Sequence, residues 1–136
     1  MTRILVVDDD KNTLRLYEME LTELEYDIST AGTAREALER FRSDSPDLVL
    51  LDIRMPGMDG LEVLARMLSF DRHLPIILIS AYSHFRDNFL SWAADAYIAK
   101  SSDLSELKWT IARLLSRRKT GPRRPWGHRE PAHKYA

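Results

Sequence analysis

Leu48-Val49-Leu50-Leu51-Asp52-Ile53-Arg54-Met55-Pro56-Gly57-Met58-Asp59-Gly60-Leu61 is the stretch that decides the fold. Four consecutive apolar residues stopping at a carboxylate read as a strand buried on both faces; a half-solvated strand would alternate apolar with polar. Pro56, Gly57 and Gly60 then make a loop. Leu61, Leu64, Ala65 and Leu68 follow at helical spacing. The segment is therefore a strand, a loop and a helix, with an acid at the carboxyl end of the strand.

Similar units lie on both sides of it, without repeating its sequence. Upstream, Ile4 to Val7 is a first strand ended by Asp8-Asp9-Asp10, and Leu14, Tyr17, Leu21 and Leu24 form an amphipathic helical stripe. Tyr26 to Thr30 is a weaker second strand. Thr33 and Glu36 have capping-box spacing ahead of the stripe Ala34, Ala37, Leu38 and Phe41, and Pro46 breaks the chain before the third strand. Downstream, Pro75 opens a fourth strand, Ile76 to Ile79, ending at Ser80. A less regular helix is expected around Phe85 to Ala93. Ala96 to Ala99 is a short fifth strand ending at Lys100, and Asp103 is placed to cap a last helix carrying Leu104, Leu107, Ile111 and Leu114.

Five strand–helix units with near-continuous apolar strands imply an α/β fold, a parallel sheet covered by helices on both faces. Right-handed crossovers leave few topologies, and the expected one is a doubly wound five-stranded sheet of order 2-1-3-4-5. In that order the switch point lies between the first and third strands, and ligands bind there at the carboxyl ends.

A chain of 136 residues suggests one domain, and 44% hydrophobic with 30% charged residues suits a water-soluble one. Cysteine is absent, which excludes disulfides and thiolate metal sites and fits a cytoplasmic protein. The apolar run after Met1 is too short for a signal peptide, and no membrane-spanning segment is expected. Charge is unevenly placed: residues 1–116 carry a balance of −7 and residues 117–136 one of +6. The domain is accordingly expected over 1–116, with 117–136 a basic, disordered tail containing Gly121, Pro122, Pro125, Gly127 and Pro131.

The strand ends carry the chemistry: Asp8 and Asp9 on the first, Asp52 on the third, Ser80 on the fourth and Lys100 on the fifth. Each alone is ordinary, since an Asp pair commonly caps a helix and a single Ser or Lys commonly sits on a surface. Together, in the expected strand order, they converge. Three carboxylates at one point repel, and a divalent cation with hard oxygen ligands, Mg²⁺, relieves them. Lys100 adds a positive charge and Ser80 a hydroxyl donor, which is what a transferring phosphoryl group requires. Asp52, on the central strand with partners on both sides, is the nucleophile expected to form an aspartyl-phosphate.

With these residues in view, the chain resembles a bacterial response-regulator receiver domain over about residues 2–116. The resemblance rests on Ile4-Leu5-Val6-Val7-Asp8-Asp9-Asp10, the segment from Leu50 to Leu61, Ile79-Ser80-Ala81 and Tyr97-Ile98-Ala99-Lys100. It implies the flavodoxin-like fold of the single-domain chemotaxis regulators. It also implies that Asp52 accepts a phosphoryl group from a sensor histidine kinase or a histidine phosphotransfer protein. Asp9, Asp52 and the backbone carbonyl of Arg54 would hold Mg²⁺, with Asp8 assisting. Ser80, the backbone of Ala81 and Lys100 would bind the phosphoryl oxygens. Ser80 and Tyr97 would switch a protein-binding surface for a downstream target, and the face of the fourth helix, fifth strand and fifth helix is a common homodimer contact. Arg54 and Tyr82 would flank the phosphoryl group and tune its hydrolysis. Such a domain is a signalling switch, not a dedicated enzyme.

Two positions depart from the family. Ser101 follows Lys100 where Pro is usual, often with a cis bond; a cis non-proline bond costs about 2.5–4 kcal/mol, so a trans bond and a looser aim for Lys100 are expected. Ala93 stands where many members have Gly.

Other classes fit less well. A haloacid-dehalogenase-like phosphatase needs a second Asp two residues after its nucleophile, where this chain has Arg54. A nucleotide-binding doubly wound protein needs a Gly-rich first turn, where this chain has Asp8-Asp9-Asp10-Lys11. A pseudo-receiver that signals without phosphate would not need the full acidic set. The tail reads as a solvated end, the start of a linker, or a basic segment docking on nucleic acid or an acidic partner. Trp126 among Arg123, Arg124 and Arg129 is compatible with base stacking. Nucleic acid is not otherwise expected as a partner.

Overall fold

The computed structural model describes residues 1–55, 58–80 and 94–120. Five strands form one parallel sheet: β1 (Arg3–Val7), β2 (Asp27–Ala31), β3 (Leu48–Asp52), β6 (Ile76–Ser80) and β7 (Ala96–Ala99), in the order β2-β1-β3-β6-β7. Counting only these five, the order is 2-1-3-4-5, as expected. The helices are α1 (Lys11–Thr22), α2 (Ala34–Asp44), α3 (Gly60–Phe70) and α4 (Ser105–Thr120). The helix expected around Phe85 to Ala93, position 93 itself and the tail from 121 onward lie outside the described residues.

Strand alternation divides the apolar side chains into two cores. Leu5, Val7, Val49, Leu51, Ile76, Leu78 and Tyr97 face α2 and α3, while Ile4, Val6, Leu48, Leu50, Ile77, Ile79 and Ile98 face α1 and α4. Every residue of β3 and β6 is buried, which is why those strands are unbroken apolar runs.

Local chemistry sets the element ends. Asp10 caps α1 by accepting from the Asn12 amide at 2.9 Å and the Thr13 hydroxyl at 3.1 Å. Thr33 accepts from the Glu36 amide, and the Glu36 carboxylate reaches back to the Gly32 amide at 2.7 Å, one residue earlier than a standard capping box. The second strand begins one residue later than expected, because the Tyr26 amide is used to close the end of α1 on the Leu21 carbonyl. Leu24, expected in the helical stripe, lies beyond the end of α1 and is 45% exposed. The last helix continues four residues past Ser116.

A loop was expected between Asp52 and Leu61. Instead β4 (Arg54–Met55) and β5 (Met58–Asp59) pair as a short antiparallel hairpin, and Gly60 is already the first residue of α3. Gly60 donates its amide to the Ile53 carbonyl at 2.9 Å, and a Cβ there would lie 2.5 Å from the Asp52 carbonyl oxygen and 2.6 Å from that of Ile53. Only glycine lets α3 start directly against the end of β3.

Gly60→Ala is therefore expected to force main chain apart at Asp52. Overpacking of this kind costs about 1–3 kcal/mol, and urea unfolding should show a lower midpoint at unchanged slope. An unchanged midpoint would mean that the contact relaxes freely.

Candidate functional site

The sheet register brings the chemical groups together. Val7 pairs with Leu51, so Asp8, the next residue, comes level with Asp52. Asp52 pairs with Ile79, so Ser80 lies one step beyond it, and Ser80 pairs with Ala99, which brings Lys100 to the same edge. Alternation sends Asp8, Asp52 and Lys100 toward the α1–α4 side, in line with Val6, Leu50 and Ile98. Ser80 and Tyr97 fall on the α2–α3 side, in line with Leu78.

The acids have separate environments. Asp8 and Asp52 are buried, 2% and 6% exposed, whereas Asp9 is exposed. One carboxylate oxygen from each of the three lies within 4.8 Å of the others. Three hard anionic oxygens that close, without cysteine or histidine, fit a divalent cation such as Mg²⁺. Asp10, the remaining acid of the triplet, points away to cap α1, and its amide donates to Asp8 at 2.9 Å. Those bonds, the Asn12 amide first and the Thr13 hydroxyl next, hold the Asp10 carboxyl below its ordinary range.

Lys100 supplies the cation present in the chain itself. Its Nζ lies 2.9 Å from Asp8 Oδ2 and 3.5 Å from Asp52 Oδ2. Burial pulls the ammonium down, but the Asp8 hydrogen bond and the charges of Asp52 and Asp8 outweigh it, leaving Lys100 above its ordinary value.

Among the described residues no peptide bond is cis, so Lys100–Ser101 is trans, as Ser101 in place of Pro suggests. The main chain of Lys100 is itself held in place. Its amide donates to the Ser80 carbonyl at 2.9 Å, tying the residue to the end of β6. The Ser101 hydroxyl oxygen accepts from the Asp103 amide, and Asp103 accepts from the amide and hydroxyl of Ser105. Two successive side-chain turns hold this loop where proline would otherwise stiffen it. Asp103, expected to cap the last helix, lies one residue before the cap position: Leu104 accepts the first helical bond from the Lys108 amide, and Asp103 accepts from Ser105, the first helical residue.

Ser80 is 1% exposed and Tyr97 7%. Ala81 and Tyr82 lie outside the described residues, as does the side chain of Arg54. Sequence reading assigned Tyr17 only to the helical stripe. It is 3% exposed beneath the acids: burial raises its hydroxyl, Lys100 opposes, and Asp8 and Asp52 reinforce the rise. Its apolar stripe spacing concealed that position.

Comparisons with known proteins agree with this geometry. The response regulator receiver domain family matches residues 4–112. The response regulator ArlR of Staphylococcus saprophyticus is 38% identical over 119 residues, covering 86% of this chain, and the Staphylococcus aureus ArlR is 37% identical over the same length. The chain spans about half the length of these curated relatives, 54% in each case. Among solved structures, the response regulator TrrA of Thermotoga maritima, in complex with Mg²⁺ and BeF, is 48% identical with a TM-score of 0.81. It covers 84% of this chain, and 99% of TrrA is matched. A second structure, of the histidine kinase ThkA in complex with TrrA, matches at 49% identity and a TM-score of 0.79, over 85% of this chain and 99% of that one.

The Lys100 pairing carries a pH signature. A lysine whose folded pKa is raised contributes stability that is fully present below its unfolded value of about 10.4 and is lost as pH rises through the folded value. The thermal midpoint of the metal-free wild type should fall over that window more steeply than that of Lys100→Met. Parallel curves would remove the ion pair from the stability of the fold.

Proposed function

Since the chain belongs to the response regulator receiver domain family, we propose that it is the phosphoacceptor receiver of a two-component phosphorelay, with Asp52 as acceptor. The observation that carries this reading is the buried Asp52 carboxylate held beside Asp8, Asp9 and the Lys100 ammonium at one sheet edge.

Asp9, Asp52 and the Arg54 carbonyl would hold Mg²⁺, with Asp8 assisting, and the cation would offset charge on the phosphoryl oxygens. An Asp52 oxygen forms the new P–O bond as the P–N bond to the partner's phosphohistidine breaks, the electron pair leaving with the imidazole nitrogen. Lys100, fixed through its amide to Ser80, turns its ammonium from the carboxylates to a phosphoryl oxygen. The backbone of Ala81 and the hydroxyl of Ser80 bind the others.

Ser80 and Tyr97 share the α2–α3 side of the sheet, which supports a coupled response of the two. Their rearrangement alters the surface of the last strand and helix together with residues 85–93, offered either to a downstream protein or to a second copy. The partner on the input side is a sensor histidine kinase or a histidine phosphotransfer protein, as the TrrA–ThkA complex suggests. Arg54 and Tyr82 flank the phosphoryl group and slow its hydrolysis. The domain acts in the cytoplasm as a switch rather than as a dedicated enzyme. No helix among the described residues is long and apolar enough to cross a membrane. The domain proper extends through the end of α4 at Thr120, four residues past the boundary at 116 that charge and composition suggest, and residues 121–136 are a basic extension.

Intact mass after incubation with Mg²⁺ and acetyl phosphate tests the acceptor. Wild type is expected to gain one phosphoryl group and Asp52→Ala none; a gain in both would place the acceptor elsewhere, and a gain in neither would favour an interaction module that works without phosphate. Arg54→Ala and Tyr82→Ala should each shorten the lifetime of the phosphorylated form, and unchanged decay in both would remove the tuning role.

A further inference from the structure

The strand fixes Lys100 on one side only. The bond from its amide to the Ser80 carbonyl sets the main chain that enters the residue. The main chain that leaves it runs into residues 101–104, which belong to neither strand nor helix. The direction of a side chain follows from both flanking peptide planes, and the lysine ammonium stands at the end of a flexible four-carbon stem. A small rotation at Cα is therefore multiplied at the nitrogen. A misplacement of about 1 Å can cost about 10²-fold in rate, so the path of 101–104 bears on the chemistry.

The far end of the loop is anchored independently. Leu104 is buried, and Lys108 Nζ lies 2.7 Å from Glu20 Oε1, which ties the first turn of α4 to the last turn of α1. α1 in turn is capped by Asp10, whose amide donates to Asp8, the carboxylate that holds Lys100. The contacts form a closed circuit, and 101–104 is its segment without regular structure. Side chains hold it: the Ser101 hydroxyl oxygen accepts the Asp103 amide at 3.0 Å, and Asp103 Oδ1 accepts the Ser105 amide at 3.0 Å and hydroxyl at 2.7 Å. The Ser105 hydroxyl first, then its amide, keep the Asp103 carboxyl below its ordinary range, so it stays a charged acceptor at neutral pH. Ser101 and Asp103 are both exposed; these bonds shape the loop and add nothing to the core.

Resting on the phosphoacceptor reading above, we propose that Ser101 and Asp103 are positioning residues for phosphoryl transfer. Their side-chain turns fix the main chain leaving Lys100, and so hold its ammonium first between Asp8 and Asp52 and then at a phosphoryl oxygen. Neither residue touches the reacting atoms. Together they do by hydrogen bonding what a proline at position 101 would do with its ring.

Two measurements on the full chain test this separately from the acceptor itself. In the metal-free, unphosphorylated protein, the nitrogen-bound protons of the Lys100 ammonium, assigned by their loss in Lys100→Met, are expected to give an NMR signal distinct from those of the exposed lysines. Ser101→Ala should abolish that signal while the backbone spectrum reports an intact fold. Ser101→Thr and Asp103→Asn, which keep an acceptor oxygen, should retain it. With Mg²⁺ and acetyl phosphate, Ser101→Ala is expected to be phosphorylated about fivefold more slowly than wild type, the size of one lost neutral hydrogen bond, and Ser101→Thr at the wild-type rate. A wild type that takes up no phosphoryl group would overturn the acceptor reading and this proposal with it. Where wild type is phosphorylated, an unchanged Lys100 signal in Ser101→Ala, an unchanged rate in that variant, or slowing shared by Ser101→Thr would overturn the positioning role alone.

Discussion

The structure depends on the meeting of three carboxylates with one ammonium at the carboxyl edge of the sheet. Asp8 and Asp52 are buried there, and buried anions are tolerated only when paired. Lys100 meets that condition from the far side of the sheet, across β6, with its nitrogen shared between the two. That arrangement fixes much else. β3 must stop at Asp52, β7 must bring Lys100 round to the same edge, and the Lys100–Leu104 loop must hold the lysine backbone in place without proline. The two side-chain turns at Ser101 and Asp103 follow from that requirement.

The strands and the order of the sheet were legible because every strand but one is a run of apolar residues closed by a functional polar group. The weaker strand, β2, has only one fully buried residue, Ala31, and its start was misjudged by one position. The error has a local cause: the Tyr26 amide serves the end of α1, a backbone hydrogen bond that no side-chain pattern reveals. The hairpin of β4 and β5 was hidden for a similar reason, since two-residue strands are too short for any periodicity to register. The helix over 105–120 was legible in its apolar stripe, but its end was placed at Ser116 on charge and composition. Backbone hydrogen bonding carries it further, to Thr120, which charge and composition do not reveal.

The site was legible as a set of residue types at strand ends, but its division of labour was not. Asp8 and Asp9 read as a ligating pair and Asp10 had no assigned role; in the structure Asp8 is buried against Lys100, Asp9 is exposed, and Asp10 caps α1. Only the turn into the helix, which sets where each side chain points, separates them. Likewise Gly60 read as a loop residue, whereas its role is to let the first turn of α3 sit against the Asp52 and Ile53 carbonyls. A sequence shows a missing side chain without showing what occupies the space.

The sheet register described above also bears on how the chain can vary. Asp8, Asp52 and Lys100 point the same way only because each lies in phase with its neighbour strand. A one-residue insertion within Leu48–Asp52 would turn the Asp52 carboxylate to the α2–α3 side and its neighbours with it. The turns at the opposite edge, such as Glu23–Tyr26 and Ser45–Asp47, sit outside that phase relationship. Length changes in relatives should therefore collect at the pole away from the chemistry, leaving that end free to diversify while the strands stay locked in length.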